Sequence, residues 1–467
     1  MDVKTEKVLL YIQNIPGALD QVVGHIRHEG WNIKRLTADE SETAGISNME
    51  IDIEGTHSKL ARVAGRLLEL DCVQSVTMPV NGEMVTRKKE GQLFQPGAAE
   101  ETLPQVDEKE EGVFRILTIN PGATSTKFAL YDNEKAKLEF VIRHRKEELD
   151  ACSTILLQKE IRKNCITDML HKAGVNRKSI DAVSGRGGLL KPIESGTYRI
   201  NSAMLEDLQS ATAALHASAL GAVIAREIAD EISAPAFVVD PVVVDEMDRN
   251  AKLTGMPGIE RTSIFHALNQ KAIARRLAEK IGKPYENARF IVAHLGGGIT
   301  VGAHRYGRVI DVNDALSGEG AFTPERTGNV PAVPLIEMCF SGEYTKQEML
   351  DKIIRVGGMQ GYLGTNDMKK VQQMIRAGDE FAALVLDSMA YQVSKEIGAM
   401  TAVLEGRVDA IALTGGLAYS GRFTGAIKER VDKLASVHVF PGEDEMLALM
   451  QGALRVLRGE ENAMIYE

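Results

Sequence analysis

The chain has 467 residues, enough at about 150 residues per domain for roughly three folding units, and its 44% hydrophobic and 26% charged residues are the balance of a globular protein, which sets disorder and fibrous repeats aside. A formal net charge of -10 without a dense Lys/Arg block excludes a nucleic-acid binder that neutralises a row of phosphates. No run approaches the ~18 apolar residues of a membrane span, the start MDVKTEKVLLYIQNIPG lacks the basic and apolar regions of a secretory signal, and the scattered Cys72, Cys152, Cys165 and Cys339 read as reduced thiols, so a cytoplasmic location is expected.

Taken in chain order, KVLLYIQ reads as a strand, ALDQVVGHIRHEG as an amphipathic helix ended by Gly30, WNIKRLTADE and SNMEIDIEG as two strands, HSKLARVAGRLLELD as a second helix and VQSVTMPV as a last strand. The order βαββαβ over residues 1–80 predicts a small ferredoxin-like sandwich. Residues 81–112 carry Gly, Pro and an acidic-to-mixed charge run without apolar periodicity, and read as a flexible linker. From residue 113 to 467, apolar β-rich runs ending in Gly/Ser/Thr turns alternate with Ala- and Leu-rich helices such as AALHASALGAVIAREIADEI, which predicts a large α/β unit of two lobes. No repeat of solenoid length interrupts it.

Three glycine-rich turns stand out there, each after an apolar strand: INPGATSTK, VAHLGGGITVGAH and AIALTGGLAYSG. In the first two another strand-like run follows, so they read as hairpin tips and do not fit the strand-to-helix turn of a P-loop. A glycine-rich tip lets the backbone approach a polyphosphate and aim its N–H groups at the oxygens. Around Gly122, the hydroxyls of Thr124, Ser125 and Thr126 and the charge of Lys127 add to that. Any one such turn alone reads as an ordinary tight turn; three in this order are harder to dismiss.

These turns, together with AVSGRGGLLKPI, VVDPVVVDEM, RTSIFHALNQK, DVNDALSGEGAFTPERTG and VFPGEDEMLALMQGALRVL, resemble the butyrate kinases, a branch of the acetate kinase group in the actin-like ATPase superfamily. The resemblance covers about residues 113–460 and implies an α/β fold of two actin-like lobes, ATP and Mg²⁺ in the cleft, and phosphoryl transfer from ATP to a short-chain carboxylate. A carboxylate is already ionised near neutral pH, so such a reaction needs cations and hydrogen-bond donors and no general base.

By the same resemblance Arg186 is the clamp for the carboxylate or the transferring phosphoryl group, Asp240 positions Mg²⁺ or its waters, His266 stabilises developing phosphoryl charge, and His216 lies near the active site, though a lone His on an Ala/Leu helix also reads as core. Asn120 contacts phosphate or metal, His294 and Gly296, Gly297 and Gly298 form the second nucleotide loop, and Gly415 and Gly416 face the adenosine. Of the acids Glu443, Asp444 and Glu445, Glu445 is taken as metal-associated; a solvated helix N-terminus, which favours negative charge, is the competing reading. His144, His171, His304 and His438 read as structural. Ala123 stands where this group often has Ser, Gly297 where acetate kinases have Asn, and SGEGAFTPERTG lacks their Arg-Ser-Gly-Asp pattern, leaving it open whether Arg326 supplies a second arginine.

The first unit resembles an ACT domain, the amino-acid-sensing module, in YIQNIPGALDQVVGHIRHEGWNIKRLTADE, a pattern close to the small regulatory subunit of acetolactate synthase. That implies pairing of such domains in a homo-oligomer and an amino-acid effector held at the turn of Asn14, Gly17, Ala18 and Leu19, where helix N-terminal N–H groups can receive a carboxylate. A domain that only dimerises is the simpler alternative. For the whole chain, the reading from another class is a non-catalytic actin-like ATP-binding amino-acid sensor; Ala123 favours it, and the joint presence of Arg186, Asp240 and His266 opposes it.

Overall fold

The computed structural model describes residues 3–13, 32–40, 46–56, 73–80, 83–88, 92–94, 105–209 and 217–467, with residues 19, 22, 23, 26, 67 and 70. The chain divides into two compact units, Met1–Phe94 and Gln95–Glu467. Among the described residues, no helix is long and apolar enough to cross a membrane.

The first unit is an antiparallel sheet of β1 (Val3–Gln13), β2 (Asn32–Glu40), β3 (Ile46–Thr56), β4 (Val73–Val80) and β5 (Glu83–Lys88) in the order β2-β3-β1-β4-β5. The period-2 alternation of a half-buried strand puts Val8, Leu10 and Ile12 of β1 on the same buried core as Met49, Ile51 and Ile53 of β3. Val22 and Ile26, one helical turn apart, and Leu67 complete it. The first four strands follow the order expected for the βαββαβ pattern. β5 lies inside the stretch expected to be linker: EMVTRK, with its β-favouring Val and Thr, pairs antiparallel with β4, and β6 (Gln92–Phe94) follows. At the other end, residues 105–112 belong to the second unit. There the Val106 N–H donates to the Ala173 carbonyl at 3.0 Å, and Lys109 pairs with Asp181 at 2.7 Å.

The second unit begins with β7 (Arg115–Pro121), β8 (Ser125–Asp132) and β9 (Lys135–Arg143), and continues with β10 (Ala182–Gly185), β11 (Thr197–Arg199) and β12 (Ala236–Val239). β10 runs parallel to both β7 and β12, and the C-terminal β18 (Met464–Ile465) pairs with β11. Against this sheet the helix Glu445–Leu457 lays Met446, Met450, Ala453 and Leu454, a stripe at helical spacing that meets Ile116, Ala129 and Phe237.

The other lobe is built on β13 (Arg289–Leu295), β14 (Ile299–Arg305), β15 (Arg308–Val312), β16 (Ala410–Gly415) and β17 (Val437–Pro441), in the order β15-β14-β13-β16-β17. Its strands are buried on both faces. Ile291, Ala293 and Leu295 share a core with Met389 and Val393 of the helix Glu380–Val403, while Phe290 and Val292 meet Ile273 and Leu277 of the helix Ala267–Ile281. β13, β16 and β17 are mutually parallel, so their C-terminal ends, with the second and third glycine turns, lie along one edge.

Candidate active site

The first glycine turn is a hairpin tip, as expected: β7 and β8 pair antiparallel with Pro121 opposite Thr126. The Gly122 N–H donates to the Ser125 carbonyl at 2.8 Å, so it closes the turn and is not available to a phosphate. Ala123 and Thr124 stand exposed beyond it.

Behind the tip lies a residue that sequence reasoning missed. Arg162, on the helix Gln158–Lys172, is fully buried. Its Nη1 donates to the carbonyls of Gly122 (3.0 Å) and Ser125 (2.8 Å) and to Thr126 Oγ1 (2.9 Å), and its Nη2 to the Ala123 carbonyl (3.1 Å) and Gln158 Oε1 (2.9 Å). None of these partners is a carboxylate. Burial lowers its pKa to about 10, which leaves the guanidinium charged at neutral pH. Drawing the tip carbonyls backward fixes the loop and places a positive charge beneath it. His144, expected to be structural, supports the same tip: its Nε2 shares a hydrogen bond with Thr126 Oγ1 at 2.8 Å, and burial together with Arg162 pushes its pKa down to about 4.

Asn120, Arg186 and Glu445 meet beside this tip. Asn120 Nδ2 donates to Glu445 Oε2 at 2.5 Å, and Arg186 Nη1 bonds Glu445 Oε1. Arg186 follows β10, whose Gly185 passes so close to the helix Ala219–Ile232 that a Cβ there would stand 2.2 Å from the Gly221 carbonyl oxygen. A cavity of about 210 Å³ opens here, lined by Asn120, Gly122, Ser125, Lys127, Arg186, Ser218, Glu443 and Glu445. Asp444 takes a left-handed φ of 46° at the N-cap of the helix Glu445–Leu457 and turns outward to Arg276 at 2.7 Å. The three acids thus separate, Glu445 inward and Asp444 outward. A solvated helix start does not describe Glu445. Burial raises its pKa, but Arg186, His294 and Asn120 outweigh that and hold the carboxyl below its usual range. Burial and then Glu445 push Glu443 up, against Lys127 and Arg186.

His294, at the end of β13, stacks on His266 with ring centroids 3.8 Å apart and planes within 10°. Burial lowers both: His294 to about 4, with Glu445 opposing and Arg186 adding to the shift, and His266 well below its ordinary value, helped by His294, Arg186 and Arg326. Two neutral imidazoles can sit face to face where two imidazolium ions would repel. Beside them Gly298 leaves room for Arg326, whose Nη1 would be 2.2 Å from a Cβ at that position. Arg326 Nε is buried without a hydrogen-bond partner among the described residues. A second arginine therefore reaches the site from the segment whose pattern departed from the acetate kinases.

The third turn is tied to the second. Gly415 has φ 91° and ψ 175°, a region open essentially to glycine alone, and a Cβ there would lie 2.4 Å from the Leu295 carbonyl oxygen. Its N–H donates to the Gly442 carbonyl at 2.9 Å, and the Gly442 N–H returns to Gly415 at 3.1 Å, which fixes the approach to Glu443. Around Gly416 the space is open.

Asp240 does not line the cavity. Its backbone has φ 37°, and the carboxylate Oδ1 accepts from Ser195 Oγ (2.6 Å) and the Gly196 N–H (2.9 Å), while Oδ2 faces Arg275 at 3.7 Å. The side chain expected to position Mg²⁺ is thus held by Ser195 and Gly196 of its own lobe and faced by Arg275 from the helix Ala267–Ile281. His216, Asn14, Gly17 and Ala18 lie outside the described residues; Leu19 is helical and exposed. Cys152, Cys165 and Cys339 are free thiols, as expected.

No group of three or more His, Cys, Asp or Glu suited to a metal ion occurs among the described residues. Mg²⁺ is commonly held through one or two carboxylates together with substrate phosphates and water. Glu445 with Asn120 offers such a donor set.

Residues 249–442 match the model of the acetokinase family. The match is to acetate-kinase-like proteins. Among solved structures, acetate kinase from Porphyromonas gingivalis is similar at 18% identity and a TM-score of 0.61, over 74% of this chain and 100% of that one. A propionate kinase from Francisella tularensis is similar at 20% identity and 0.59, over 73% and 98%, and acetate kinase from Entamoeba histolytica at 16% and 0.60, over 74% and 100%. At these identities the likeness shows a shared two-lobed α/β fold, with the small N-terminal sheet unit outside the matched region.

Proposed function

We propose that the protein is a short-chain carboxylate kinase of the butyrate kinase type, transferring the γ-phosphoryl group of ATP to butyrate or a branched short-chain acid. The observation that carries this reading is the convergence of Arg186, Asn120 and Glu445 on one cavity beside the first glycine turn. The Arg186 guanidinium is already bonded to a carboxylate, that of Glu445, so it is oriented to exchange that partner for a substrate carboxylate at little cost in charge. Arg326 and His266 then supply a cation and a donor to the oxygens of the transferring group. Direct in-line transfer needs no nucleophile from the protein. When bound, Mg²⁺ neutralises phosphate charge, and Glu445 and Asn120 would hold it. One methylene in an apolar pocket is worth about 1–3 kcal/mol, so chain length is decided by assay.

Trapping of acyl phosphate as hydroxamate across a panel of C2 to C6 acids with MgATP tests the activity. Arg186→Ala is expected to lower kcat by about 100- to 1,000-fold while nucleotide still binds. Unchanged turnover would remove Arg186 from the site, and absence of acyl phosphate from every acid would favour a non-catalytic ATP-binding sensor.

For the first unit we infer an ACT domain with an amino-acid effector, on the strength of its strand order and the sequence NIPGAL. Equilibrium dialysis with leucine, isoleucine and valine, paired with kinase rates, tests it; no binding to any of them retires the effector. A cytoplasmic homo-oligomer completes the reading. Its support is the helix Ala332–Phe340, which buries no residue and exposes Val333, Ile336 and Phe340, and sedimentation of the full chain tests it.

A further inference from the structure

His266 belongs to a hydrogen-bonded chain that runs away from the cavity into the buried interior. His266 Nδ1 lies 3.0 Å from Thr300 Oγ1. Gln270, one helical turn on, places Nε2 at 2.8 Å from the same hydroxyl and at 3.1 Å from the Thr300 carbonyl, and its Oε1 at 3.0 Å from His304 Nε2. The chain ends where Tyr285 Oη meets His304 Nδ1 at 2.7 Å. Thr300, Gln270 and His304 are all fully buried. The pattern ITVGAH explains the geometry: Thr300, Gly302 and His304 alternate onto one face of β14, and only glycine at 302 admits Gln270, whose Oε1 would lie 2.4 Å from a Cβ there.

The direction of every proton in this chain follows from its two ends. A backbone carbonyl only accepts, so Gln270 must turn its NH₂ toward Thr300 and its oxygen toward His304. His304 Nε2 then donates, and its Nδ1 accepts from Tyr285. The second amide hydrogen of Gln270 goes to Thr300 Oγ1, which leaves the threonine hydroxyl proton a single acceptor, His266 Nδ1. A neutral imidazole that accepts at Nδ1 carries its proton at Nε2, and His266 Nε2 has no partner among the described residues. His294, stacked on it, is set the opposite way: Asn269 donates to the Glu443 carbonyl at 2.6 Å and so offers its oxygen to His294 Nδ1 at 2.8 Å, which fixes an Nδ1–H tautomer.

We propose that Thr300, oriented by Gln270, is a positioning residue that locks His266 in the Nε2–H tautomer and thereby presents an N–H donor, not a lone pair, to the transferring phosphoryl group. The inference rests on the carboxylate kinase reading, but the tautomer exists without substrate. Without the lock, an acceptor lone pair at Nε2 would face anionic oxygens and repel them.

The test is ¹⁵N NMR of histidine-labelled full-length protein, with the His266 signals assigned by their loss in His266→Gln, alongside steady-state kinetics of Thr300→Val and Thr300→Ser. The wild type is expected to show a protonated Nε2 and an unprotonated Nδ1. Thr300→Val should give a mixed tautomer and a kcat about 10- to 100-fold lower, the range for losing the outer partner of a functional histidine, with KM for MgATP within about threefold. Thr300→Ser should restore both tautomer and kcat. A wild-type His266 protonated at Nδ1, or a Thr300→Val protein with unchanged tautomer and kcat, overturns the proposal. Should Thr300→Val fail to fold, the wild-type spectrum and Thr300→Ser still decide it. An Nε2–H tautomer in a protein that makes no acyl phosphate would count against the kinase reading and leave the lock standing.

Discussion

Arg162 gives the sharpest test of how the first glycine turn, proposed to hold the nucleotide, is fixed. In Arg162→Met a side chain of similar length loses its bonds to the carbonyls of Gly122, Ala123 and Ser125 and to the Thr126 hydroxyl. At about 1 kcal/mol net for each, they hold the tip by about 4 kcal/mol. Relief of a buried cation whose Nε is unpartnered returns about 1–2 kcal/mol of that. The remaining 2–3 kcal/mol, if it falls on the turn, corresponds to roughly 30- to 150-fold weaker MgATP binding at 1.4 kcal/mol per decade. Titration calorimetry of MgATP into wild type, Arg162→Met and Arg162→Lys measures it, with circular dichroism confirming the fold. Lysine keeps the charge but not the planar fork, so an intermediate loss is expected. A folded Arg162→Met that binds MgATP within threefold of wild type would refute the argument, since the tip would then hold its shape unaided.

Two further outcomes follow from the same geometry. Gly415→Ala forces a Cβ into the Leu295 backbone from a glycine-only conformation and should cost about 3 kcal/mol, read as a lowered Tm with weakened nucleotide binding; a wild-type Tm would mean that the second and third turns are not tied together. His144 and His294, both pushed down to about 4, stay neutral in the folded chain between pH 6.5 and 4 while the unfolded chain takes up protons, so their contribution is full above about pH 6.5 and lost as pH falls to about 4. Thermal melts between pH 7 and 4.5 should show that decline, shallower in His144→Gln, and identical slopes would contradict it.

Local patterns were enough for much of this. Alternation in KVLLYIQ and SNMEIDIEG, and apolar runs broken by Gly-rich turns, specify strands and tips through contacts only a few residues apart. The stretch 81–112 shows the limit, because EMVTRK becomes a strand only when β4 is there to receive its backbone hydrogen bonds. Arg162 carried no signal for a related reason: an arginine on a polar-looking helix is unremarkable until the hairpin it serves is folded over it.

By itself the sequence determined the order of elements and the glycine turns, because backbone conformation and side-chain period are local properties; Arg186 and His266 were singled out by family resemblance. Only the tertiary structure showed what holds Glu445 in the cavity, since its partners Asn120 and Arg186 lie 325 and 259 residues away along the chain. It also brought Arg326 to Gly298, turned Asp240 toward Ser195 and Gly196, and assembled the proton directions around His266. Electrostatics and hydrogen bonding act through space over a few ångströms, and the distances that set them exist only once the chain is folded.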